Sequence, residues 1–275
     1  MKQGENGMNS PEQLQQHLTA FLERFNHLAD RYDGTIQHSS KLEKIIDEYS
    51  TFITDERNSD AWEKLEQLKV SQLYQLVEDV RKSSAICVAI MEKYRALKLL
   101  DGIADKTDYF QNIESCIEEE FGSFQVTVDS KVLMVGSGSF PMTPLLIAKR
   151  TGAEVVGIDI DGEAIELGRS VVERLGSGLP IRLEKEFVER LDVTKDATHI
   201  IFSSTVANKY DLLEQLHPLT NDQVIVAMRY GNNMKSLFNY PMREVDVRKW
   251  RLIETILRPN HVFDIALYQK ESAAC

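Results

Sequence analysis

The residues best placed to do chemistry begin with Val135-Gly136-Ser137-Gly138-Ser139-Phe140-Pro141, which follows the β-rich run Lys131–Val135 and precedes a helical pattern. Glycines at 136 and 138 let the backbone approach a ligand closely, and the N–H groups of such a loop attract an anion, for instance a carboxylate. Pro141 stands where a dinucleotide-binding turn has its third glycine. Pro144 disfavours helix at Thr143, so Thr143 is expected as N-cap and Pro144 as the first helical residue, with Gly152 ending the helix. The loop is then longer and looser than a tight diphosphate turn, which argues against a nicotinamide dehydrogenase. Asp159 closes the next strand, 23 positions after Gly136. An acid there accepts hydrogen bonds from ribose hydroxyls, or merely caps the loop. Asp161, just before Gly162 and a helical run, reads better as an N-cap.

A second carboxylate stands out by its surroundings. Glu92 ends the apolar and small-residue stretch Ala85-Ile86-Cys87-Val88-Ala89-Ile90-Met91. Beside a buried helical face its basicity would rise by desolvation, making it a proton acceptor. The competing reading is a solvent-facing Glu paired with Lys93 or Arg95. Arg229, at the end of a strand, can grip a carboxylate bidentately or sit in a surface salt bridge. The six histidines are scattered without zinc-ligand spacing, so no metal is expected, and His199 and His261 near strand starts are read as structural. Cys87, Cys116 and Cys275 form no CxxC pair; the first two fall in helical patterns and are read as small core residues, in a reducing, cytoplasmic compartment.

These groups need elements to hold them, and the chain has two halves of different grammar. No proline occurs between Pro11 and Pro141 and no glycine between Gly34 and Gly102. Their absence predicts helices. Ser10-Pro11-Glu12-Gln13 offers an N-cap, Pro at N1 and Gln at N3. Ser40-x-x-Glu43 and Asp60-x-x-Glu63 are expected to open a second helix and a third that runs on to Val80. A fourth is expected from Ser84 to Leu100, and a fifth from Tyr109 to Phe121. After residue 126 the period changes to strand–helix alternation: Lys131–Val135, Glu154–Asp159, Ile181–Leu183, His199–Ser203 and Val224–Arg229 as strands, Gly162–Leu175 and Lys209–Leu216 as helices. Alternation of this kind predicts a parallel sheet covered on both faces. Arg258-Pro259-Asn260 separates two final strands that should form an antiparallel hairpin. The expected fold is therefore α/β, a class I methyltransferase-like (Rossmann-like) sheet carrying an N-terminal all-α helical domain, with domains 1–126 and 127–275.

Composition excludes other classes. Of 275 residues, 32 are Lys or Arg and 43 Asp or Glu, a net charge of −11 concentrated in the first half. This balance argues against nucleic-acid binding, which normally shows a basic patch. No run reaches the roughly 18 apolar residues of a membrane span, so no membrane partner is expected.

Taken together, VGSGSFPMT at 135–143, GIDID at 157–161, IIFSST at 200–205, VAMRYG at 226–231, FNYP at 238–241, FDIALY at 263–268 and DYFQNIESCIEEEFG at 108–122 resemble the nicotianamine synthase family. The likeness is strongest to its bacterial branch, which makes opine-type metallophores such as staphylopine, and runs from about residue 80 to 270. It implies that S-adenosylmethionine is the co-substrate. Its 3-amino-3-carboxypropyl (aminobutanoyl) group would move once, onto the α-amino group of D- or L-histidine, with release of 5′-methylthioadenosine and no metal required. The product would pass to an opine dehydrogenase, and a homodimer stays open. Carried over residue by residue, the resemblance makes Glu92 the base or amine-orienting group. Tyr109 becomes a phenol that orients the amine or helps carry its proton, unless it is a core aromatic. Phe110 lacks the second hydroxyl of the family's aromatic pair. Gly136, Ser137, Gly138, Asp159 and Ser203 (with Ser204) face the cofactor. Phe187 occupies a position that is acidic in many relatives and either stacks on adenine or fills core. Arg229 and Tyr240 line the acceptor side. The rival on the same fold is a small-molecule methyltransferase; a non-catalytic interaction protein is the other.

Overall fold

The computed structural model describes residues 10–68, 71–103 and 125–271. The first helix, α1 (Pro11–Ala29), begins as its sequence requires. Ser10 accepts from the Gln13 N–H at 3.2 Å while the Gln13 side chain accepts from the Ser10 N–H at 2.7 Å, a complete capping box. Such a cap contributes about 1 kcal/mol. Next come α2 (Ser39–Thr54) and α3 (Ser59–Gln67), both capped without a side-chain hydrogen bond, one residue ahead of the expected starts. The expected third and fourth helices are corrected. The third stops at Gln67, and a single 30-residue helix, α4 (Ser71–Leu100), covers the rest. Its buried residues include Arg81, Ser84, Cys87, Met91, Lys93 and Arg95, which do not form one stripe. A helix buried on most sides has no amphipathic period to read. The expected helix Tyr109–Phe121, with Tyr109, Phe110 and Cys116, lies outside the described residues.

Seven strands follow: β1 (Lys131–Val135), β2 (Glu154–Ile158), β3 (Ile181–Glu184), β4 (His199–Phe202), β5 (Ile225–Tyr230), β6 (Trp250–Ile256) and β7 (Asp264–Lys270). Helices α5 (Met142–Thr151), α6 (Gly162–Leu175) and α7 (Lys209–Leu216) make the crossovers. The strands form one sheet in the order β3-β2-β1-β4-β5-β7-β6. Its first five members are parallel, with Val132 opposite both Val155 and His199. β7 runs antiparallel between β5 and β6, so the hairpin expected at the end of the chain is present. β4 and β5 are buried throughout, as strands covered on both faces must be, whereas β6 is largely exposed at the edge. Helix α5 starts at Met142, with Pro141 at the cap position. This corrects the expected Thr143 cap: Thr143 lies in the first turn, and Pro144, two residues into the helix, loses no hydrogen bond because first-turn N–H groups have no intrahelical partner. Gly152 ends the helix at φ 75° as expected.

Apolar residues pack on both sheet faces, and a further core lies among the helices. The helical core is not made by the helices alone. Met234, Leu237 and Phe238, from a 3-10 turn after β5 and the residue that follows it, are buried in it, and the Tyr49 hydroxyl donates to the Leu237 carbonyl at 2.7 Å. Cys87 is a buried core residue, as expected. None of the described helices is long and apolar enough to cross a membrane.

Candidate active site

Strand order reverses between β1 and β4, where one crossover leaves toward β2 and the next toward β5. Open α/β sheets bind ligands at the carboxyl ends of the strands flanking such a switch. A cleft of about 610 Å³, part of it open to solvent, lies there. The loop after β1 (Gly136, Ser137) and the segment after β4 (Ser203, Ser204, Thr205) supply one side. Val88 and Glu92, one helical turn apart on α4, supply the other; Arg229, Phe238, Asn239 and Phe263 close the end.

The glycine loop is tightly folded. The N–H groups of Gly136 and Ser137 both donate to the Ile158 carbonyl, at 2.9 and 3.0 Å. Asp159 holds the next turn: its Oδ2 accepts from the Gly138 N–H at 3.1 Å and its Oδ1 from the Asp161 N–H at 3.0 Å. Gly138 has φ +67°, and a Cβ built on it would overlap Glu92 Oε2. Glycine is therefore required twice, for the left-handed backbone and for the close approach of a carboxylate.

Glu92 is enclosed by protein, and its remaining accessible surface faces the cleft. Burial pushes its carboxyl up to about 8, and the neighbouring Asp159 charge adds to the rise; Arg95, the Ser139 N–H and Arg229 oppose it. The alternative of a surface pair with Lys93 is excluded. Lys93 turns the other way, with its Nζ 2.7 Å from Asp161 and 2.6 Å from Glu163 at the start of α6. Tyr32 donates to the same Glu163 at 2.6 Å, and its ring lies 5.3 Å from the ammonium. Asp161 also caps α6, accepting from the Glu163 N–H at 3.0 Å, as expected of it. This clamp fixes α4 against the α6 start, and so fixes Glu92 over the glycine loop. Arg95 remains within the electrostatic reach of Glu92.

The other sequence-derived candidates separate. Ser203 lies against Gly136, its Cβ 3.0 Å from where a glycine Cβ would stand. Arg229 is buried, not a surface salt bridge: it lines the cleft, donates to Thr143 Oγ1 at 3.0 Å and lies 5.2 Å from the centre of the Phe263 ring. Phe187 does not fill core; it is 52% exposed with Arg190 5.5 Å over its ring. Tyr240 is not among the cleft-lining residues. Its ring faces the Arg81 guanidinium at 5.4 Å. His199 and His261 are structural in their contacts, bonding Thr198 and Arg258.

Three residues were missed. Lys209 is fully buried and donates to the carbonyls of Ser204 (3.2 Å), Arg229 (2.6 Å) and Tyr240 (3.2 Å), lacing together the ends of β4 and β5 and the loop beyond. Burial, aided by Arg81 and Arg243, lowers its ammonium to about 7. Ile160, beside Asp159, is 75% exposed, an apolar side chain at the carboxyl end of β2. Asn239 stood in the quoted FNYP segment, where the aromatic drew the reading away from it. Nothing local in NKYDLL marks Lys209 as buried.

No protein-family model matches the chain. It is 30% identical over 262 residues to the L-histidine 2-aminobutanoyltransferase of Yersinia pestis, covering 89% of this chain and 95% of that one. It is 27% identical over 192 residues to the enzyme of the same name from Pseudomonas aeruginosa, covering 70% and 72%. Among solved structures, MtNAS in complex with MTA and tNA superposes with a TM-score of 0.73 at 16% identity, over 93% of this chain and 97% of that one. A mutant of MtNAS in complex with S-adenosylmethionine gives 0.68 at 16%, over 92% and 98%. At that identity the structural likeness speaks for the fold, helical region included, while the sequence relationship extends over nearly the whole chain. The protein is thus a transferase belonging to the nicotianamine synthase-like family of L-histidine 2-aminobutanoyltransferases.

Proposed function

We propose that this enzyme moves the 3-amino-3-carboxypropyl group of S-adenosylmethionine onto the α-amino group of histidine, releasing 5′-methylthioadenosine. The observation that carries the reading is Glu92: a carboxylate facing the cleft, pressed against the glycine loop, with its proton affinity raised to about 8. The reaction needs a neutral amine. A base titrating near the working pH removes a proton from that amine most effectively. As the new C–N bond forms, the C–S bond breaks and the electron pair leaves with the thioether; the amine proton passes to Glu92. The sulfonium already activates the carbon, so the protein's task is to present the methylene, rather than the methyl, to the amine.

The remaining assignments follow the sheet edge. Asp159 uses one lone pair of each oxygen on the backbone and keeps others for ribose hydroxyls. Ile160 and Phe187, exposed at the ends of adjacent strands β2 and β3, hold the adenine. Gly136, Ser137 and Ser203 border the amino-acid arm, and Ser137 Oγ is buried with no hydrogen-bond partner among the described residues. Arg229 faces the acceptor carboxylate and Tyr109 orients the amine. Tyr240 acts through its carbonyl on Lys209, and residues 1–126 form a lid domain over the sheet domain 127–275. The names of the relatives favour L-histidine, and the product would go on to an opine dehydrogenase in metallophore synthesis.

Mass spectrometry of products after incubation with S-adenosylmethionine and each histidine enantiomer tests this. An aminobutanoyl-histidine adduct with stoichiometric 5′-methylthioadenosine is expected. S-adenosylhomocysteine with a methylated product would replace the reading with methyl transfer.

A further inference from the structure

The acceptor end of the cleft contains a polar atom that nothing above employs. Asn239 is 1% exposed, lines the cleft, and is held rigidly: its N–H donates to the Lys235 carbonyl at 2.9 Å and its Nδ2 to the Val262 carbonyl at 2.6 Å. Because the amide nitrogen must face that carbonyl, the position of Oδ1 is settled. Oδ1 is buried and has no hydrogen-bond partner among the described residues. Buried acceptors are nearly always satisfied, so an orphan in a ligand cleft points to a donor that arrives with the ligand.

The sheet order identifies which end of the ligands meets it. Asp159 ends β2, Gly136 follows β1, Ser203 follows β4, Arg229 is in β5 and Phe263 directly precedes β7. At about 4.8 Å per strand, roughly 19 Å of sheet edge separates Asp159 from Phe263. A nucleoside whose ribose meets Asp159 has its amino-acid arm over β1 and β4. The incoming amine compound then lies over β5 and β7, where Asn239 is tied to Val262. The walls there include Val88, Phe238, Val262 and Phe263, with Arg229 over the Phe263 ring at 5.2 Å and the unpartnered Asn239 oxygen among them. A planar ring that offers its faces to aromatic walls and one N–H donor to the free oxygen matches that lining, and a neutral imidazole is such a ring, its other nitrogen being an acceptor.

We propose that Asn239 determines acceptor specificity by accepting, through Oδ1, the imidazole N–H of histidine. This rests on the histidine-acceptor reading above. A site built around one such hydrogen bond discriminates against analogues that lack it by roughly 100-fold or more.

The test measures 5′-methylthioadenosine release by the wild-type enzyme with L-histidine and with its two ring N-methyl isomers. Methylating the nitrogen whose proton is read should lower kcat/KM about 100-fold; methylating the other, which locks the useful tautomer, should cost less than about 10-fold. Both isomers reacting within threefold of histidine, or both failing equally, would overturn the assignment. Asn239→Leu should raise KM for histidine, leave KM for S-adenosylmethionine within threefold, and erase the difference between the isomers. A shift in KM for S-adenosylmethionine alone would overturn it as well. If the variant does not fold, the wild-type isomer comparison still decides. No transfer to histidine by the wild type would instead defeat the functional reading itself, whereas a flat isomer pattern in an active enzyme defeats only the role of Asn239.

Discussion

The two sides of the cleft are built by opposite means. On the sheet side, the loop after β1 acts through its backbone: two N–H groups close on one carbonyl, and Asp159 accepts two more. On the helical side, α4 acts through side chains. Glu92 is enclosed beside Asp159, Arg95 and Arg229 with its charge poorly solvated, while Lys93, next in sequence, is held by two carboxylates. Two acids flank Gly138, and their surroundings separate their tasks. Asp159 spends its oxygens on the loop backbone, whereas burial outweighs the Ser139 N–H and the two arginines at Glu92 and suits it to take a proton.

The contrast breaks most sharply at Glu92. Glu92→Gln should lower turnover by about 10²–10⁴-fold, the usual contribution of a general base, while calorimetry shows S-adenosylmethionine binding retained. Wild-type kcat/KM for histidine should rise with pH up to about 8, as the competent unprotonated carboxylate of Glu92 forms. The same group opposes folding as it ionises. Its folded pKa of about 8 lies above the ordinary 4.5, so stability is lost as pH rises between those values. Glu92→Gln should therefore raise Tm most above pH 8, with the gain vanishing toward pH 4.5; an equal Tm difference across that range would remove burial as the cause.

Gly138→Ala strikes both sides at once. It forces a non-glycine residue to φ +67° and pushes a methyl into Glu92. A loss of about 2 kcal/mol in stability is expected from the backbone alone, with turnover falling because Glu92 is displaced. Thermal melts and product release measure the two parts separately. Asp159→Ala should act on the sheet side only, weakening S-adenosylmethionine binding about tenfold or more for the lost charged acceptor; unchanged affinity in calorimetry would move the ribose elsewhere. The smallest effect is expected for Lys93→Met. Asp161 and Glu163 are each more than two-fifths exposed, so the clamp is worth only about 1 kcal/mol. Its signature is a reduced kcat from a loosened α4, with S-adenosylmethionine affinity preserved.

How much of this was readable from residues alone follows the range of the interactions. Strand and helix bounds in the second half fall within a few residues of expectation, and two of its helices, Gly162–Leu175 and Lys209–Leu216, coincide with it. There, period, turn signals and glycines all act over a few positions. The division of the helical half between Gln67 and Ser71 was not readable, because no glycine or proline marks it and the buried Leu65, Leu73 and Val80 keep a helical spacing across it. The same rule governs the site. Gly136, Gly138 and Asp159 belong to a local strand–loop–helix grammar and were legible, whereas Phe187 and Tyr240 were singled out by type, and their settings, one exposed beyond β3 and the other packed on Arg81, came only from the fold.

Lys209, Asn239 and Lys93 carry no local signal. What makes each one matter is a partner 20 to 70 residues away, a carbonyl or carboxylate brought in by the tertiary fold, and for Lys93 by the packing of the two halves. The sequence by itself determined the sheet, the ligand loop and the acid at the end of β2, since these depend on residue types at short spacing. Tertiary structure alone decided that Glu92 faces the glycine loop with its charge desolvated while its neighbour is clamped elsewhere, because burial and electrostatic field are properties of what surrounds a residue in space.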